Sequence, residues 1–162
     1  MSGIRAYIGL GSNLGDPVAQ VKRARAAIAV LSGVEEVAFS SLYRSRPLGP
    51  QDQPDYVNAV MAVDTGLPAP ELLAALQAIE TAQGRVREGE RWGPRTLDLD
   101  LLLYGRACIR TSELTVPHYG LAERCFVLHP LAEIAPADLY VPGLGPLSDL
   151  VQRCPATGLE RL

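Results

Sequence analysis

The chain is poor in cysteine, histidine, lysine and aromatic residues. Three cysteines stand at 108, 125 and 154, an odd number with no two closer than 17 positions. No CxxC occurs, which argues against a zinc site or a disulfide framework. The simplest reading is a reducing compartment. The start of the sequence, MSGIRAYIGLGSN, has no charged stretch leading into an apolar one, so no secretory signal is expected. Uncharged runs such as Ala26 to Val34 fall far short of the roughly 20 residues of a membrane span. Positive charge is not in excess either. Eighteen acids against 15 bases give a net charge of −3, which disfavours a nucleic-acid binder with a uniformly basic surface. There is no GxxxxGK[ST] phosphate loop. Gly9, Gly11 and Gly15 give GxGxxxG rather than the dinucleotide GxGxxG, and Ser45 and Arg46 stand where an acid would close the second strand. What remains is one cytoplasmic domain over residues 1–162, 48% hydrophobic. A domain of this length buries roughly 70% of its unfolded surface.

Hydrophobic periodicity orders the elements. Ile4 to Leu10 reads as a strand that runs into a glycine-rich turn, GLGSNLGDP. Asp16 suits a helix N-cap and Pro17 the first helical position. Val21, Ala24, Ile28 and Leu31 recur at helical spacing, and Gly33 can end that helix. Val34 to Ser45 and Tyr56 to Thr65 read as strands. Pro70 opens a second helix with Leu72, Leu73, Leu76 and Ile79 inward and Gly84 at its end, and Leu97 to Tyr104 is a fourth strand. A short strand near Leu114 to Val116, a helix near Leu121 to Ile134 and a Pro/Gly-rich tail complete the chain. The order β-α-β-β-α-β predicts an α+β, ferredoxin-like sandwich with C-terminal additions. The segments 46–55 and 85–96 are long for connections, a length typical of binding loops or lids.

Leu97-Asp98-Leu99-Asp100-Leu101 is the sharpest local feature. On a strand, Leu97, Leu99, Leu101 and Leu103 share the core face and the two acids share the other, about 7 Å apart. At that distance two carboxylates repel by about 2 kcal/mol at an effective dielectric of 20. Two solvated or arginine-paired acids would explain them. So would a clamp for a divalent metal completed by substrate phosphates. The preceding segment concentrates positive charge: Arg85, Arg87, Arg91 and Arg95 fall within eleven residues, with Trp92 among them. That suits a polyphosphate, although Glu88 and Glu90 interleave and could pair with it. His118 lies in a polar stretch near Arg124, whereas His129 sits in the apolar run FVLHPLA and reads as a satisfied core histidine. Gln77 and Glu80 fit a solvated helix face. Cys125, between Arg124 and Phe126, reads as a passive small residue.

Taken in order, GSNLGDP, LYRSRPLGPQDQPDYVNAV, GRVREGERWGPRTLDLDLLLYG and LTVPHYGLAERCFVLHPLAEIAP resemble the 6-hydroxymethyl-7,8-dihydropterin pyrophosphokinases over nearly the whole chain. The resemblance implies transfer of pyrophosphate from ATP to the pterin hydroxymethyl group, with release of AMP, in folate biosynthesis. It implies that Asp98 and Asp100 hold two Mg²⁺ ions and that Arg85 and Arg95 steady the transferred group. Arg87 and Trp92 fall in a segment expected to close over the nucleotide. His118, Tyr119 and Arg124 match further ATP contacts, Gln77 and Glu80 the helix bordering the ATP site, and Leu101 and Thr115 strand positions that read adenine. Tyr56 and Phe126 match an aromatic pair around the pterin, Asn58 its hydrogen-bonding side chain, and Gly11, Ser45, Arg46 and Leu48 the surrounding wall. The partners expected are ATP and 6-hydroxymethyl-7,8-dihydropterin, with no nucleic acid or membrane, and the chain is expected to be a monomer. The residues alone leave two rivals: another two-metal nucleotidyltransferase, and a non-catalytic ferredoxin-like ligand sensor.

Overall fold

In a computed structural model of the chain, residues 3–13, 16–45, 55–83, 97–155 and 159–162 are described. The first strand, β1 (Ile4–Ser12), leads through Asp16 into α1 (Pro17–Ala29). The Asp16 carboxylate accepts the Ala19 N–H at 3.1 Å, which caps the helix. Next come β2 (Val34–Phe39), β3 (Tyr43–Ser45), β4 (Tyr56–Thr65) and α2 (Ala69–Ala82). The strand β5 (Asp98–Tyr104) is followed by the short pair β6 (Ile109–Arg110) and β7 (Thr115–Val116), then by α3 (Cys125–Ile134). The chain finishes with β8 (Tyr140–Val141), β9 (Gly145–Pro146), α4 (Leu147–Gln152) and β10 (Leu159–Arg161).

One antiparallel sheet runs in the order β10-β3-β4-β1-β5, with β2 also paired to β4. Alternation sorts its side chains. Ala6, Ile8 and Leu10 of β1 and Val57, Ala59, Met61 and Val63 of β4 pack with Val21, Ile28, Leu72 and Leu76 of α1 and α2. Tyr7, Val60 and Ala62 face the opposite way, against Leu128 and Leu131 of α3 and Leu147 and Leu150 of α4. The sheet therefore lies between two helical layers.

The structure departs from the sequence reading in several places. First, the strand expected over 34–45 is two strands. Ser40 sits between them, its N–H donating to the Val60 carbonyl and its hydroxyl accepting the Val60 N–H, both at 2.9 Å. This side-chain substitution into the ladder divides the strand without breaking its attachment to β4. Second, a register shift opposite Tyr7 and Ile8 takes Leu103 off the face of Leu97, Leu99 and Leu101 and into the α3 layer. Third, the helix expected over 121–134 begins as a 3₁₀ turn at Leu121–Glu123, and Arg124, at ψ 89°, separates that turn from α3. Fourth, the Pro/Gly-rich tail, for which the sequence predicts no element, carries β8, β9, α4 and β10.

The fifth departure concerns the cysteines. Cys125 and Cys154 form a disulfide, with Cα atoms 5.4 Å apart. Their 29-residue separation offers no local signal, because the pairing arises only when the end of α4 folds back to the start of α3. Cys125 is thus not a passive small residue, and the bond overturns the readings of no disulfide and of a reducing compartment drawn from the odd, widely spaced cysteines. Cys108 is free and exposed. His129 is satisfied, its Nε2 lying 2.8 Å from the Cys154 carbonyl.

Candidate active site

The candidate site is built on the sheet face that looks toward α3. The pairing registers place Tyr43 opposite Asn58, Asn58 opposite Gly11, and Gly11 opposite Asp98. Directly paired residues project from the same face. Tyr43, Asn58, Gly11 and Asp98 therefore form one row across four strands. A neighbouring row runs Val60, Gly9, Asp100. Strands lie about 4.8 Å apart, so Asn58 and Asp98 stand roughly 10 Å from each other across β1. In both rows the β1 position before the acid is glycine and adds no side chain of its own to this trough; the Leu102 side chain packs over Gly9, 3.5 Å from where a Cβ would be. Gly11 lies within β1 rather than in the turn expected there. A Cβ at 11 would come within 2.6 Å of Asn58 Oδ1, so the Asn58 amide occupies the space that the missing side chain vacates.

At the pterin-matching end, Asn58 is 8% exposed and its Nδ2 donates to Ser45 Oγ at 3.2 Å. That bond fixes which way the amide faces. Tyr56 stands opposite Ser45 and shares the Asn58 face. Phe126, in the first turn of α3, packs partly buried on the α3 side of the core. The Arg124 guanidinium lies 5.9 Å from the Phe126 ring centroid and 5.7 Å from that of Tyr119.

At the carboxylate end, Asp100 is the meeting point of several side chains. Its Oδ1 lies 3.7 Å from His118 Nε2 and its Oδ2 lies 3.8 Å from Arg124 Nη1. The His118 N–H donates to the Leu102 carbonyl at 3.0 Å, which lays this segment beside β5. The Gly120 N–H donates to His118 Nδ1 at 3.2 Å, leaving Nε2 to face the acid. Burial pushes the His118 pKa down, Asp100 pulls it up and Arg124 pushes it down again, and the net shift is downward. Gly120 also makes room, since a Cβ there would meet Arg124 Nε at 2.8 Å. The Tyr119 ring stacks on His118 with centroids 4.6 Å apart and is 79% exposed.

Glu80 corrects the solvated-face reading. It is 3% exposed, and its carboxylate accepts the Leu99 N–H at 2.7 Å. The signal was present in the sequence: position 80 is eight residues beyond Leu72, inside the buried arc of the helix rather than beside it. Leu99 is the residue between the two aspartates, so Glu80 holds the outer edge of β5 where it carries them. Gln77 is exposed on α2. Leu101 is buried in β5, and Thr115 lies in β7, which packs beside β5. Arg46, Leu48, Arg85, Arg87, Arg91, Trp92 and Arg95 lie outside the described residues.

Comparison with known proteins places the chain in a family. The family 7,8-dihydro-6-hydroxymethylpterin-pyrophosphokinase (HPPK) matches residues 7–136. The chain belongs to the HPPK family. Among HPPK relatives, the 2-amino-4-hydroxy-6-hydroxymethyldihydropteridine pyrophosphokinase of Pseudomonas aeruginosa is 52% identical over 158 residues, covering 98% of this chain and 96% of its own. That of Haemophilus influenzae is 54% identical over 150 residues, covering 93% and 92%. In three dimensions the chain is similar to a crystal structure of Plasmodium falciparum HPPK-DHPS with pteroate, with a TM-score of 0.73 at 12% identity. That match covers 94% of this chain and 42% of the other, so the chain spans less than half of that longer protein. At that identity the likeness speaks for the HPPK fold alone. The aspartate pair, Gly9, Gly11, Asn58, Phe126 and Arg124 all fall within the HPPK match.

Proposed function

We propose that the trough is where this HPPK family member carries out the family's reaction, transfer of a pyrophosphoryl group from ATP to the hydroxymethyl group of 6-hydroxymethyl-7,8-dihydropterin on the route to folate. The observation that carries the assignment of roles is the row Asn58–Gly11–Asp98. An amide suited to a pterin edge and a carboxylate suited to a metal-bound phosphate share one face about 10 Å apart, separated in the row only by a glycine, which supports the reading.

The donor set fits a hard divalent ion. Asp98 and Asp100 share a face, and among the described residues no group of three His, Cys, Asp or Glu forms a closed cage. Mg²⁺ is commonly held in this way, by one or two carboxylates with phosphate and water completing its shell. Asp98 and Asp100 would hold the metal, two ions by the resemblance, and Mg²⁺ would supply charge neutralisation on the polyphosphate. The chain's own groups do the rest. Arg124 and His118 flank Asp100 and present cationic and N–H groups toward the phosphate chain, with Arg85 and Arg95 assigned to the same task by the resemblance. Asn58 reads the pterin edge with an amide that Ser45 already orients. Tyr56 and Phe126 offer it aromatic faces. Transfer then forms a bond from the hydroxymethyl oxygen to the β-phosphorus of ATP and breaks the bond to AMP. Such a step needs positioning and charge stabilisation more than covalent catalysis, which is why no nucleophile triad is required.

The same reading extends to the architecture and setting. The order β2/β3–β4–β1–β5, with α1 and α2 on one face, supports a ferredoxin-like core. A single pyrophosphokinase domain without a nucleic-acid partner fits the charge balance, and among the described residues no helix is long and apolar enough to cross a membrane. The test is an assay with ATP, Mg²⁺ and 6-hydroxymethyl-7,8-dihydropterin, scored for AMP. Pterin-dependent AMP formation is expected, abolished by chelation of the metal. Asp100→Ala, at a site 38% exposed, is expected to keep the fold and lose about 10²-fold or more in turnover. ADP as product, or near-native turnover in that variant, would refute the assignment.

A further inference from the structure

Away from the trough, one acid on α3 gathers donors from β3 with the residues leading into it and from β10. Glu133, near the end of α3, accepts the Ser41 N–H at 3.0 Å and the Ser41 hydroxyl at 2.9 Å. It also accepts the Tyr43 hydroxyl at 2.7 Å and lies 3.4 Å from Arg161 Nη2 of β10. Arg161 Nε in turn donates to Ser41 Oγ at 2.9 Å, closing a ring of bonds. Neither the metal-binding residues nor the nucleotide-matching ones enter this cluster.

Its position connects it to the pterin side. Glu133 is seven residues beyond Phe126, nearly two helical turns, so both project from the same face of α3 about 10 Å apart. Tyr43 is the direct cross-strand partner of Asn58. Ser45, on the same strand and face as Tyr43, accepts the Asn58 amide and pairs across β10 with Leu159. Each element that Glu133 ties therefore carries or braces a pterin-side residue: α3 carries Phe126, β3 carries Ser45, and β10 braces β3. The carboxylate end of the trough, on β5 and the segment after β7, receives no bond from it.

We infer that Glu133 is a positioning residue for the pterin side of the site, setting the spacing between Phe126 on α3 and the Asn58–Ser45 pair on the sheet by clasping Ser41, Tyr43 and Arg161. Hydrogen bonds to an ionised group are among the stronger ones available, and this one is shared among three elements. Small displacements of a positioning scaffold are felt at the ligand without any lost contact to it. The inference rests on the reading that Asn58, Tyr56 and Phe126 hold the pterin.

The test compares Glu133→Ala, Glu133→Gln and Tyr43→Phe with Asn58→Ala, measuring KM for the pterin, KM for ATP and kcat by AMP formation. Glu133→Ala is expected to raise the pterin KM roughly tenfold while the ATP KM stays within about twofold. Glu133→Gln is expected to fall between, since its amide keeps one acceptor oxygen. Tyr43→Phe is expected to shift the pterin KM in the same direction, and it decides the matter should Glu133→Ala fail to fold. Equal loss on both substrates, or an unchanged pterin KM in a folded Glu133→Ala while Asn58→Ala raises it, would overturn the inference and leave the site reading standing. An unchanged pterin KM in Asn58→Ala would overturn both.

Discussion

Gly11 and Asn58 face each other across β1 and β4, and the Asn58 Oδ1 lies 2.6 Å from where a Cβ at position 11 would be. The amide can stand in the row with Asp98 only because position 11 has no side chain. A methyl group there must push either Asn58 or the strand, and Asn58 is already tied to Ser45. Gly11→Ala is therefore expected to raise the pterin KM by about tenfold or more with little change in the ATP KM. Titration calorimetry with the pterin alone checks this. Unchanged pterin affinity in the variant would mean that the amide yields without consequence.

Glu80 makes the opposite kind of contribution, in which a buried acid serves a backbone group. Its bond to the Leu99 N–H satisfies an outward-facing amide of β5, the last strand of the sheet, at the residue that separates Asp98 from Asp100. Glu80→Ala would leave that amide buried without this acceptor, a loss of about 1–3 kcal/mol. The variant is expected to unfold at lower denaturant and to need more Mg²⁺ for half-maximal activity. Glu80→Gln, which keeps an acceptor, should lose less of both. A Mg²⁺ requirement unchanged in a destabilised Glu80→Ala would separate stability from metal positioning and count against the second half of this prediction.

These two residues also mark how far the sequence could be read. The aspartate pair was legible because period-two alternation with leucine leaves no other arrangement on a strand. The ranges of α1, β4 and β5 followed from periodicity and a capping aspartate. The Gly11–Asn58 relationship was not legible, because register between β1 and β4 depends on how some forty intervening residues fold. Glu133 was invisible for the same reason: its partners come from two stretches distant in sequence, Ser41 and Tyr43 around the start of β3 and Arg161 on β10. The bulge that turns Leu103, the break at Ser40 and the late strand β10 each depend on a neighbour across the sheet rather than on local propensity. Resemblance assigns Asn58 and Phe126 to the pterin, but it says nothing of what holds them apart.

The Tyr43–Glu133 pair carries a pH signature with two limbs. Burial, and then the hydrogen bond to Glu133, push the Tyr43 hydroxyl up to about 12 from 10.0. Burial alone would raise Glu133, but the bonds from Tyr43 and Ser41 and the charge of Arg161 outweigh it and hold the acid below its ordinary 4.5. A raised tyrosine pKa means that the folded state keeps the proton more tightly. Its contribution is complete below pH 10 and is lost as pH climbs toward 12. A lowered carboxylate pKa contributes above 4.5 and is lost as pH falls below that value. Urea denaturation from pH 7 to 11.5, comparing the native protein with Tyr43→Phe, checks the alkaline limb. The stability difference is expected to be flat near neutrality and to shrink at the alkaline end. A difference that stays constant above pH 10 would exclude the shifted hydroxyl.

The disulfide offers the last test, because it ties the start of α3 to the residues after α4 while its flanking residues point into the site. Cys125 stands between Arg124, which reaches Asp100, and Phe126. Closing a loop of this length stabilises by about 3–4 kcal/mol in the chain-entropy account. Thiol titration of the native, unreduced protein should therefore find one reactive group, the exposed Cys108, and three after reduction and unfolding. Reduction by a dithiol should lower the denaturation midpoint. It should leave turnover within about threefold, a change below 1 kcal/mol, because His129 still binds the Cys154 carbonyl and Leu128 and Leu131 still pack against the sheet. Three reactive thiols in the unreduced native protein would show the pair to be open. A collapse of activity on reduction, before any loss of structure by circular dichroism, would show that the bond rather than the surrounding packing holds Arg124 and Phe126 in place.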